Sequence, residues 1–203
     1  MRAALRALLT PSSTSISLAA LAVAGIVVGI AGLGTRVLAA QPPPLRLVPQ
    51  VDLARYAGTW YEVARLPNRF QEKCTGEVTA TYRNRPDGRI DVVNRCRTDN
   101  GDMTDAAGIA RRVDGEPPSR LEVRFAPAIL SFLPAVWGDY QIIALGPEYD
   151  YALVGTPDRK YLWVLSRTAQ MDRDRYLALL AEAKAQGFDV AKVVETRQRQ
   201  AGS

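Results

Sequence analysis

Histidine is absent from the 203 residues of this chain, and cysteine occurs only twice, as Cys74 and Cys96. Without an imidazole, the chain lacks the commonest general base and the commonest zinc ligand. Mechanisms in which a histidine activates a serine or cysteine nucleophile are therefore excluded. We expect no catalytic residue, no metal site and no cofactor.

Acidic residues are absent from positions 1–39, which carry Arg2, Arg6 and Arg36. The rest of the chain keeps all 21 acidic residues and all but three of the 26 basic ones, so its net charge is about +2 rather than +5. Its arginines are spread among acidic residues, whereas binding to nucleic acid needs clustered positive charge. We therefore expect no nucleic acid partner.

Residues 16–34 form an uninterrupted run of apolar and small residues after a basic start. This layout is typical of a secretory signal, and Val37 and Ala39 suit a cleavage site. The run is also near the length that spans a bilayer, so residues 1–39 are either a signal peptide or an uncleaved membrane anchor. A soluble helix is the remaining alternative. No cysteine stands near the cleavage point, so a lipoprotein is not predicted, and residues 40–50 form a Pro-rich linker.

From Val51 onward, short segments of alternating polarity are separated by turns rich in Gly, Pro, Asp and Asn. This spacing predicts antiparallel strands joined by hairpins, in a sandwich or a barrel. Eight strands can close into a barrel wide enough to hold one small ligand. The predicted strands are Thr59–Arg65, Glu77–Arg83, Arg89–Cys96, Thr104–Arg111, Arg120–Phe125, Tyr140–Leu145, Tyr151–Gly155 and Tyr161–Ser166.

One amphipathic helix is predicted after the last strand, with Asp172 as its N-cap and Gly187 as its stop. Such a helix would pack on the outside of the sheet, against whichever of Val164 and Leu165 points outward. Its apolar stripe comprises Tyr176, Leu177, Leu179, Leu180 and Ala183.

The two cysteines test how the second and third predicted strands pair. If Cys74 lies opposite Cys96, then Val78 faces Val92 and the neighbouring apolar residues also meet on one face. The hydrophobic pattern thus favours the register that joins the cysteines, which supports a disulfide in an exported protein. Two buried free thiols are the alternative. A nucleophilic cysteine is not expected, because no histidine is available to activate it.

Three segments resemble the sequence motifs of the lipocalin family. Gly58–Arg65 matches the Gly-x-Trp motif that opens the first strand, Pro147–Ala152 resembles the motif between the sixth and seventh strands, and Leu162–Thr168 resembles the third, arginine-containing motif. The resemblance covers about residues 50–198 and is closest to bacterial envelope lipocalins and their apolipoprotein D-like relatives. It implies an all-β domain at residues 51–198, an eight-stranded antiparallel up-and-down barrel with one C-terminal amphipathic helix packed outside.

The resemblance places Gly58, Trp60 and Arg167 at the floor of the barrel. Trp60 would close the narrow end and Arg167 would stack on its face, an interaction worth up to about 2 kcal/mol when desolvated. The guanidinium would also satisfy carbonyl groups of the chain that crosses the floor near residues 52–56. We expect these roles to be structural.

Strand alternation and the resemblance agree on a set of side chains that point into the barrel. The resemblance implies that they line a cavity for a ligand, and the alternative is that they fill a core. If Glu62 also points inward, its buried charge needs a partner such as an arginine, which the sequence does not identify. The predicted ligand-binding set is Val78, Ala80, Tyr82, Ile90, Val92, Leu121, Val123, Phe125, Tyr140, Ile142, Ala144, Tyr161 and Trp163.

The connection between the fifth and sixth predicted strands, Ala126–Trp137, is apolar almost throughout. In the family this loop lies at the open mouth of the barrel, and an exposed apolar stretch often marks an interaction surface. We expect Ile129, Leu130 and Phe132 to form a lid or a rim that contacts a membrane. The alternatives are that they complete the core or bury a dimer contact.

The resemblance implies a protein that is not an enzyme and that binds, transports or stores a small hydrophobic ligand in the bacterial periplasm or envelope. Aliphatic walls with a few tyrosine hydroxyls suit a fatty acid or a lysophospholipid. We expect a monomer or weak dimer that contacts membrane through Ala126–Trp137 or the N-terminal segment, with inner-membrane anchoring if residues 16–34 are retained. The alternatives are a lipocalin-type enzyme that acts on a lipid or isoprenoid through a cysteine or a carboxylate pair, and a structural envelope protein with a filled barrel.

Overall fold

The computed structural model describes residues 42–199, so the predictions for residues 1–39 and for the start of the linker lie outside the described residues. Within residues 42–199, the chain forms the predicted closed antiparallel barrel. No helix in this part of the chain is long and apolar enough to cross a membrane. The strands are β1 Gly58–Arg65, β2 Cys74–Asn84, β3 Ile90–Thr98, β4 Met103–Arg112, β5 Arg120–Arg124, β6 Gly138–Leu145, β7 Tyr151–Gly155, β8 Leu162–Ser166 and β9 Val194–Glu195, and the helices are α1 Leu53–Tyr56 and α2 Arg173–Ala185.

Consecutive strands from β1 to β8 pair with one another, and β1 also pairs with β8, which closes the barrel. The short helix α1 spans one end, where Asn84 Nδ2 donates to the Leu53 carbonyl and Arg55 Nη2 donates to the Pro147 carbonyl. We call this the closed end. The opposite, open end carries the connections at residues 66–73, 99–102, 125–137 and 156–161.

Two hydrophobic clusters divide the apolar side chains of the sheet. The inner cluster lies within the barrel, and the outer cluster joins the barrel wall to α2. Val164 belongs to the outer cluster and Leu165 to the inner one, so Val164 is the residue of this pair that points outward towards α2. The predicted helix is confirmed. Asp172 Oδ1 accepts from the Arg175 amide, and Gly187 follows the helix with φ +90°.

The helix buries a narrower stripe than predicted. Tyr176, Leu179 and Ala183 face the barrel, whereas Leu177 is 48% exposed. A residue directly after Tyr176 is turned about 100° around the helix axis, so it points away from the barrel wall. The α2 helix is therefore held by these three buried residues, with Leu180 half-buried against the same cluster.

Between Thr79 and Asn84 the predicted register of β2 and β3 is wrong by four residues, and two irregularities reduce the error to two residues at Cys74. Val92 lies opposite Tyr82 rather than Val78, and Ile90 lies opposite Asn84. The hairpin is tighter than assumed because Arg85 pairs directly with Arg89, and Gly88 takes φ +78° in the turn. A shift by an even number of residues keeps each side chain on the same face of the sheet. The error therefore changes which residues lie opposite one another but not which face they occupy.

The predicted disulfide joins Cys74 and Cys96, whose Cα atoms are 5.6 Å apart. In the observed register, Cys74 lies opposite Thr98, so the disulfide crosses the β2–β3 pair diagonally. Irregular pairing on β2 around Gly76, with Glu77 at φ 51°, makes this crossing compatible with the ladder.

An unpredicted segment, residues 194–198, fills a gap between β1 and β2 towards the open end; we call it the seam segment. β1 and β2 pair only as far as Tyr61 and Thr79. Beyond that point Thr196 N donates to Val63 O at 2.8 Å, and Glu77 N donates to Arg197 O at 2.7 Å. The seam segment thus supplies the backbone partners that β1 and β2 do not give each other.

A glycine in β2 makes room for this arrangement. A Cβ atom at Gly76 would lie 2.6 Å from the Arg197 carbonyl oxygen, a backbone atom that cannot move aside. The Gln198 amide then bridges the two strands, because its Nε2 donates to Glu62 O at 2.8 Å and Val78 O at 2.9 Å. The seam segment is therefore an integral part of the wall.

Candidate functional site

The floor of the barrel is built from Trp60 and Arg167. Trp60 is fully buried, and Arg167 Cζ lies 3.9 Å from the centroid of its ring. The Trp60 indole donates to the Tyr56 carbonyl, and Arg167 Nη2 donates to the carbonyls of Arg55, Tyr56 and Ala57. This arrangement satisfies the carbonyl groups at the end of α1 and locks α1 across the closed end.

Two further features of the floor concern the charge of Arg167 and the backbone at Gly58. Desolvation lowers the pKa of Arg167, although stacking and carbonyl contacts hold its charge in place. Gly58 has φ +98°, and a Cβ there would lie 3.2 Å from Arg167 Nη1. The glycine of the first motif therefore allows a left-handed backbone conformation and leaves room for the guanidinium of Arg167.

Three tyrosines fill the lower half of the barrel above the floor. The Tyr140 hydroxyl lies 2.7 Å from that of Tyr56 and 2.9 Å from that of Tyr82, so one hydroxyl links the other two. Burial raises the pKa of Tyr82 to about 12, and it raises the pKa of Tyr56 and Tyr140 well above the usual value. All three hydroxyls are therefore neutral at physiological pH and act as mutual hydrogen-bond partners.

Most of the predicted inward side chains belong to the inner cluster. Its members from that set are Tyr82, Ile90, Val92, Leu121, Tyr140 and Ile142, all buried, with Ala80, Val123 and Trp163 half-buried against them. Val78 is also buried. Tyr56, which the sequence analysis missed, joins them from the four-residue helix α1, which is too short to leave a periodic pattern.

The inward assignment of Ala144 is wrong. A register irregularity between Ile142 and Ala144 shifts the alternation of β6, so Ile143 and Ala144 pack with the outer cluster and Leu145 returns to the inner one. A β-bulge inserts one residue into a strand and reverses the faces beyond it. Strict alternation cannot anticipate such a shift.

Towards the open end, several inward side chains remain partly accessible to solvent. Ala80, Val123 and Trp163 are only half-buried, and Phe125 is 45% exposed. The Phe125 ring occupies space that a small residue on β4 leaves, because a Cβ at Gly108 would lie 2.7 Å from Phe125 Cδ1. We call this region, bounded below by the tyrosines, the cup.

An aromatic ladder lies at the rim of the cup. The Tyr161 and Trp163 rings are stacked, with centroids 5.9 Å apart and planes 8° apart. Phe70, from the β1–β2 connection, adds a third ring 5.6 Å from Tyr161. Phe70 itself is 61% exposed, so the ladder runs from the barrel interior to the surface.

Glu62 points inward, and its partner is Arg65. The Glu62 side chain is 3% exposed; its Oε1 accepts from Arg65 Nη1 at 2.7 Å and from Thr196 Oγ1 at 2.5 Å. Its Oε2 accepts from Gln71 Nε2 at 2.6 Å, and Gln71 Oε1 in turn accepts from the Trp163 indole at 3.0 Å. The buried carboxylate is thus fully paired.

Sequence reasoning missed Arg65 because of another bulge. The pairing of β1 with β8 shifts between Glu62 and Ala64, and beyond the shift Arg65 lies opposite the inward-pointing Trp163. Simple alternation would put residues 62 and 65 on opposite faces. The bulge brings both charges to the inside of the wall.

The Ala126–Trp137 loop is anchored at one end and exposed in the middle. Trp137 lies under two guanidinium groups on the outer wall, with Arg111 Cζ 3.9 Å and Arg124 Cζ 5.3 Å from its ring centroid. Ile129 and Phe132 are 78% and 74% exposed, and Leu130 is also exposed. Ile129 and Phe132 therefore do not complete the core within residues 42–199.

A closed antiparallel barrel with one covered end and one accessible cup defines the class of single-chain β-barrels that can hold a small molecule. The family described as "Lipocalin-like domain" matches residues 51–198, and the chain belongs to the lipocalin family.

Curated relatives and solved structures agree with this assignment. Temperature-induced lipocalin-1 of Arabidopsis thaliana is 40% identical over 156 residues, which cover 76% of this chain and 83% of that relative. Outer membrane lipoprotein Blc of Escherichia coli (strain K12) is 39% identical over 158 residues, which cover 77% and 85%. The structure of insecticyanin from the tobacco hornworm Manduca sexta aligns with a TM-score of 0.59 at 18% identity, over 78% of this chain and 86% of that one, a likeness of fold.

Proposed function

We propose that this lipocalin binds a lipid with one acyl chain and one polar end, of the fatty acid or lysophospholipid class, without transforming it. The observation that carries the proposal is the cup, where apolar side chains such as Val123 and Phe125 point inward yet stay accessible. Apolar walls that converge on a few polar groups are typical of small-molecule sites. The acyl chain lies in the cup, and its polar end lies near the rim.

The filled lower half limits how deep the ligand reaches. Trp60 and the three tyrosines occupy the barrel from the floor up to the level of the Tyr140 hydroxyl. A chain therefore enters only the upper half, and longer chains extend past the rim along the ladder that ends at Phe70. This geometry favours single-chain lipids over bulky ones.

Binding without catalysis is supported by the chemistry of the side chains. Both cysteines are joined in the disulfide, so no thiol is available as a nucleophile. The buried carboxylate Glu62 is paired with Arg65 rather than with a second carboxylate. The arrangement provides recognition groups and no acid–base couple.

We place this protein in the bacterial envelope, because its Escherichia coli relative is an outer membrane lipoprotein. The basic start and apolar run of residues 1–39 support export. The absence of a cysteine near the cleavage point argues against a lipid-modified N-terminus. Retention of residues 16–34 would anchor the domain in the inner membrane.

The exposed side chains of the 126–137 loop provide a contact with membrane lipid at the mouth of the cup. Replacement of Ile129, Leu130 and Phe132 by Ser is expected to lower partitioning onto liposomes, because these side chains supply the apolar surface. The double variant Val93→Ser, Leu177→Ser removes exposed apolar groups elsewhere and serves as the control. Unchanged partitioning of the triple variant would refute membrane contact through this loop.

Lipid binding is tested by displacement of a fluorescent fatty acid. Ala80→Phe places a ring in the cup and is expected to weaken binding at least about tenfold, because the two occupants overlap sterically. Ala107→Phe adds the same ring on the outer face of β4, opposite the exposed Val93, and is expected to bind like the parent. If no fatty acid or lysolipid displaces the probe from the parent protein, the filled-barrel alternative holds instead.

A further inference from the structure

The Arg65 guanidinium is held along one side and left without a partner along the other. Within residues 42–199 its side chain donates hydrogen bonds only from Nη1, to Glu62 at 2.7 Å and to Thr196 at 3.2 Å. Its Nε is buried and has no hydrogen-bond partner in this part of the chain. Buried donors in folded proteins nearly always have partners, so an orphaned one needs an explanation. Within the same residues the Nε atoms of Arg120 and Arg124 are unpaired as well, and Arg65 differs from them in lining a pocket beside β1.

The unpaired edge has the geometry of an anion receptor. Nε and Nη2 of arginine donate in parallel and match the two oxygens of a carboxylate or phosphate. Glu62 holds the guanidinium through Nη1, and Glu62 is itself fixed by Thr196 and Gln71. The carboxylate therefore orients the arginine without occupying the edge that would receive an anion.

The surroundings suit a headgroup at the rim of the cup. Arg65 lies opposite Trp163, whose ring belongs to the cup wall. Arg65 also lines a pocket of about 340 Å³ together with Asn68, Arg69, Gln71 and one acidic residue, Glu72. Glu62 balances the charge of Arg65 and Glu72 balances that of Arg69, so what the pocket offers a headgroup is the guanidinium donors of Arg65 and Arg69 rather than net charge.

We propose that Arg65 binds the phosphate or carboxylate of the acyl lipid through its Nε–Nη2 edge and selects anionic lipids over neutral ones. This inference rests on the proposed lipid-binding function. The uncharged oxygens of a neutral headgroup accept more weakly than the paired oxygens of a carboxylate or phosphate, which is why the preference follows. Thr196, from the seam segment, and Glu62 are positioning residues, because they act through Arg65.

The test compares two ligands with the same acyl chain, a lysophosphatidic acid and a monoacylglycerol, by displacement of one fluorescent probe. The parent protein is expected to prefer the phosphate-bearing lipid by about 10- to 100-fold, the range for paired charge-assisted hydrogen bonds. The double variant Glu62→Gln, Arg65→Gln removes both charges together, so it strands no buried charge. It is expected to lose the preference while it keeps its affinity for monoacylglycerol within about twofold of the parent.

Two further variants separate charge from geometry. Arg65→Lys keeps the positive charge but not the paired donors, and it is expected to retain only part of the preference. Arg95→Gln removes one charge from an exposed ion pair with Asp105 on β3, and it is expected to behave like the parent. Thermal unfolding of each variant establishes that it is folded.

The outcomes distinguish this inference from the function on which it rests. Equal affinity of the parent for both lipids, or an unchanged preference in the double variant, would overturn the role of Arg65 and leave lipid binding intact. Binding of neither lipid would overturn the proposed function itself. Inorganic phosphate titrated alone is expected to show no saturable binding at millimolar concentration, and tight binding would assign the site to a free anion instead of a lipid headgroup.

Discussion

Each end of this barrel places an arginine beside a tryptophan, but the two arginines differ in whether their hydrogen-bond donors have partners. At the closed end, Arg167 lies on the Trp60 ring and donates to five carbonyl groups, so its donors are satisfied. At the open end, Arg65 lies beside Trp163 but keeps a buried donor without a partner. We therefore expect substitutions at the two ends to affect different measurements, stability at the closed end and ligand preference at the open end.

The largest effect is expected from removal of the floor. Trp60→Ala should lower the free energy of unfolding by about 3–5 kcal/mol, because it empties a fully buried site and releases Arg167 from its ring. Urea denaturation measures the change. Trp137→Ala, which removes an indole from the outer wall near the open end, should cost much less. Equal losses in the two variants would contradict the division between the ends.

The disulfide gives the next largest effect and lies in the open half. Replacement of Cys74 and Cys96 by Ala should lower the free energy of unfolding by about 3 kcal/mol, because it frees a loop of 22 residues in the unfolded chain. Chemical denaturation of the double variant, with the reduced parent protein for comparison, measures this. Equal losses in the double variant and in the reduced parent protein would attribute the loss to the disulfide. A loss below about 1 kcal/mol would show that the seam segment holds β2 in place without the disulfide.

Alkaline pH should weaken the lower half of the barrel selectively. The pKa of Tyr82 is raised to about 12 in the folded protein, above its ordinary value near 10, so between these values the unfolded chain has lost a proton that the folded chain retains. Stability is therefore full below pH 10 and falls as pH rises towards 12, by about 2–3 kcal/mol for this group alone.

Unfolding by urea at a series of pH values measures this slope. Tyr82→Phe has no proton to lose at this position, so its stability should fall less steeply over the same range. A parent protein with stability independent of pH between 9 and 11 would show that the tyrosine cluster is not buried in solution.

The smallest effect on stability is expected at the mouth. The triple variant Ile129→Ser, Leu130→Ser, Phe132→Ser should unfold within about 0.5 kcal/mol of the parent, because these side chains are exposed. Thermal or urea unfolding measures this on the same preparation used for liposome binding. A loss comparable to that of Trp60→Ala would mean that the loop folds into the core in solution.

Local sequence patterns accounted for the elements whose cause is local. Alternation and turn residues predicted eight strands, and a capping Asp172 with a terminal Gly187 predicted α2. The three motifs predicted the floor partners Trp60 and Arg167 from positions far apart in sequence. The disulfide followed from the hydrophobic pattern even though the assumed register was wrong, because an even shift preserves faces.

Several features that escaped prediction depend on bulges or on contacts distant in sequence. One irregularity moved Ala144 to the outer face, and another brought Arg65 inside. β9 has only two residues, too few for a periodic pattern, and its role depends on a gap between β1 and β2 that no single segment encodes. The sequence therefore did not predict Arg65, the charged residue of the proposed site.

The seam segment also determines when, during synthesis of the chain, the barrel wall can be completed. β1 emerges from the ribosome early, yet its upper half gains its backbone partners only from residues more than a hundred positions later, such as Thr196, which contacts Glu62 at a separation of 134. Until those residues have been synthesised, the facing edges of β1 and β2 remain unpaired, and such edges invite association with other strands. The last wall element to be synthesised therefore completes both the wall and the proposed headgroup site.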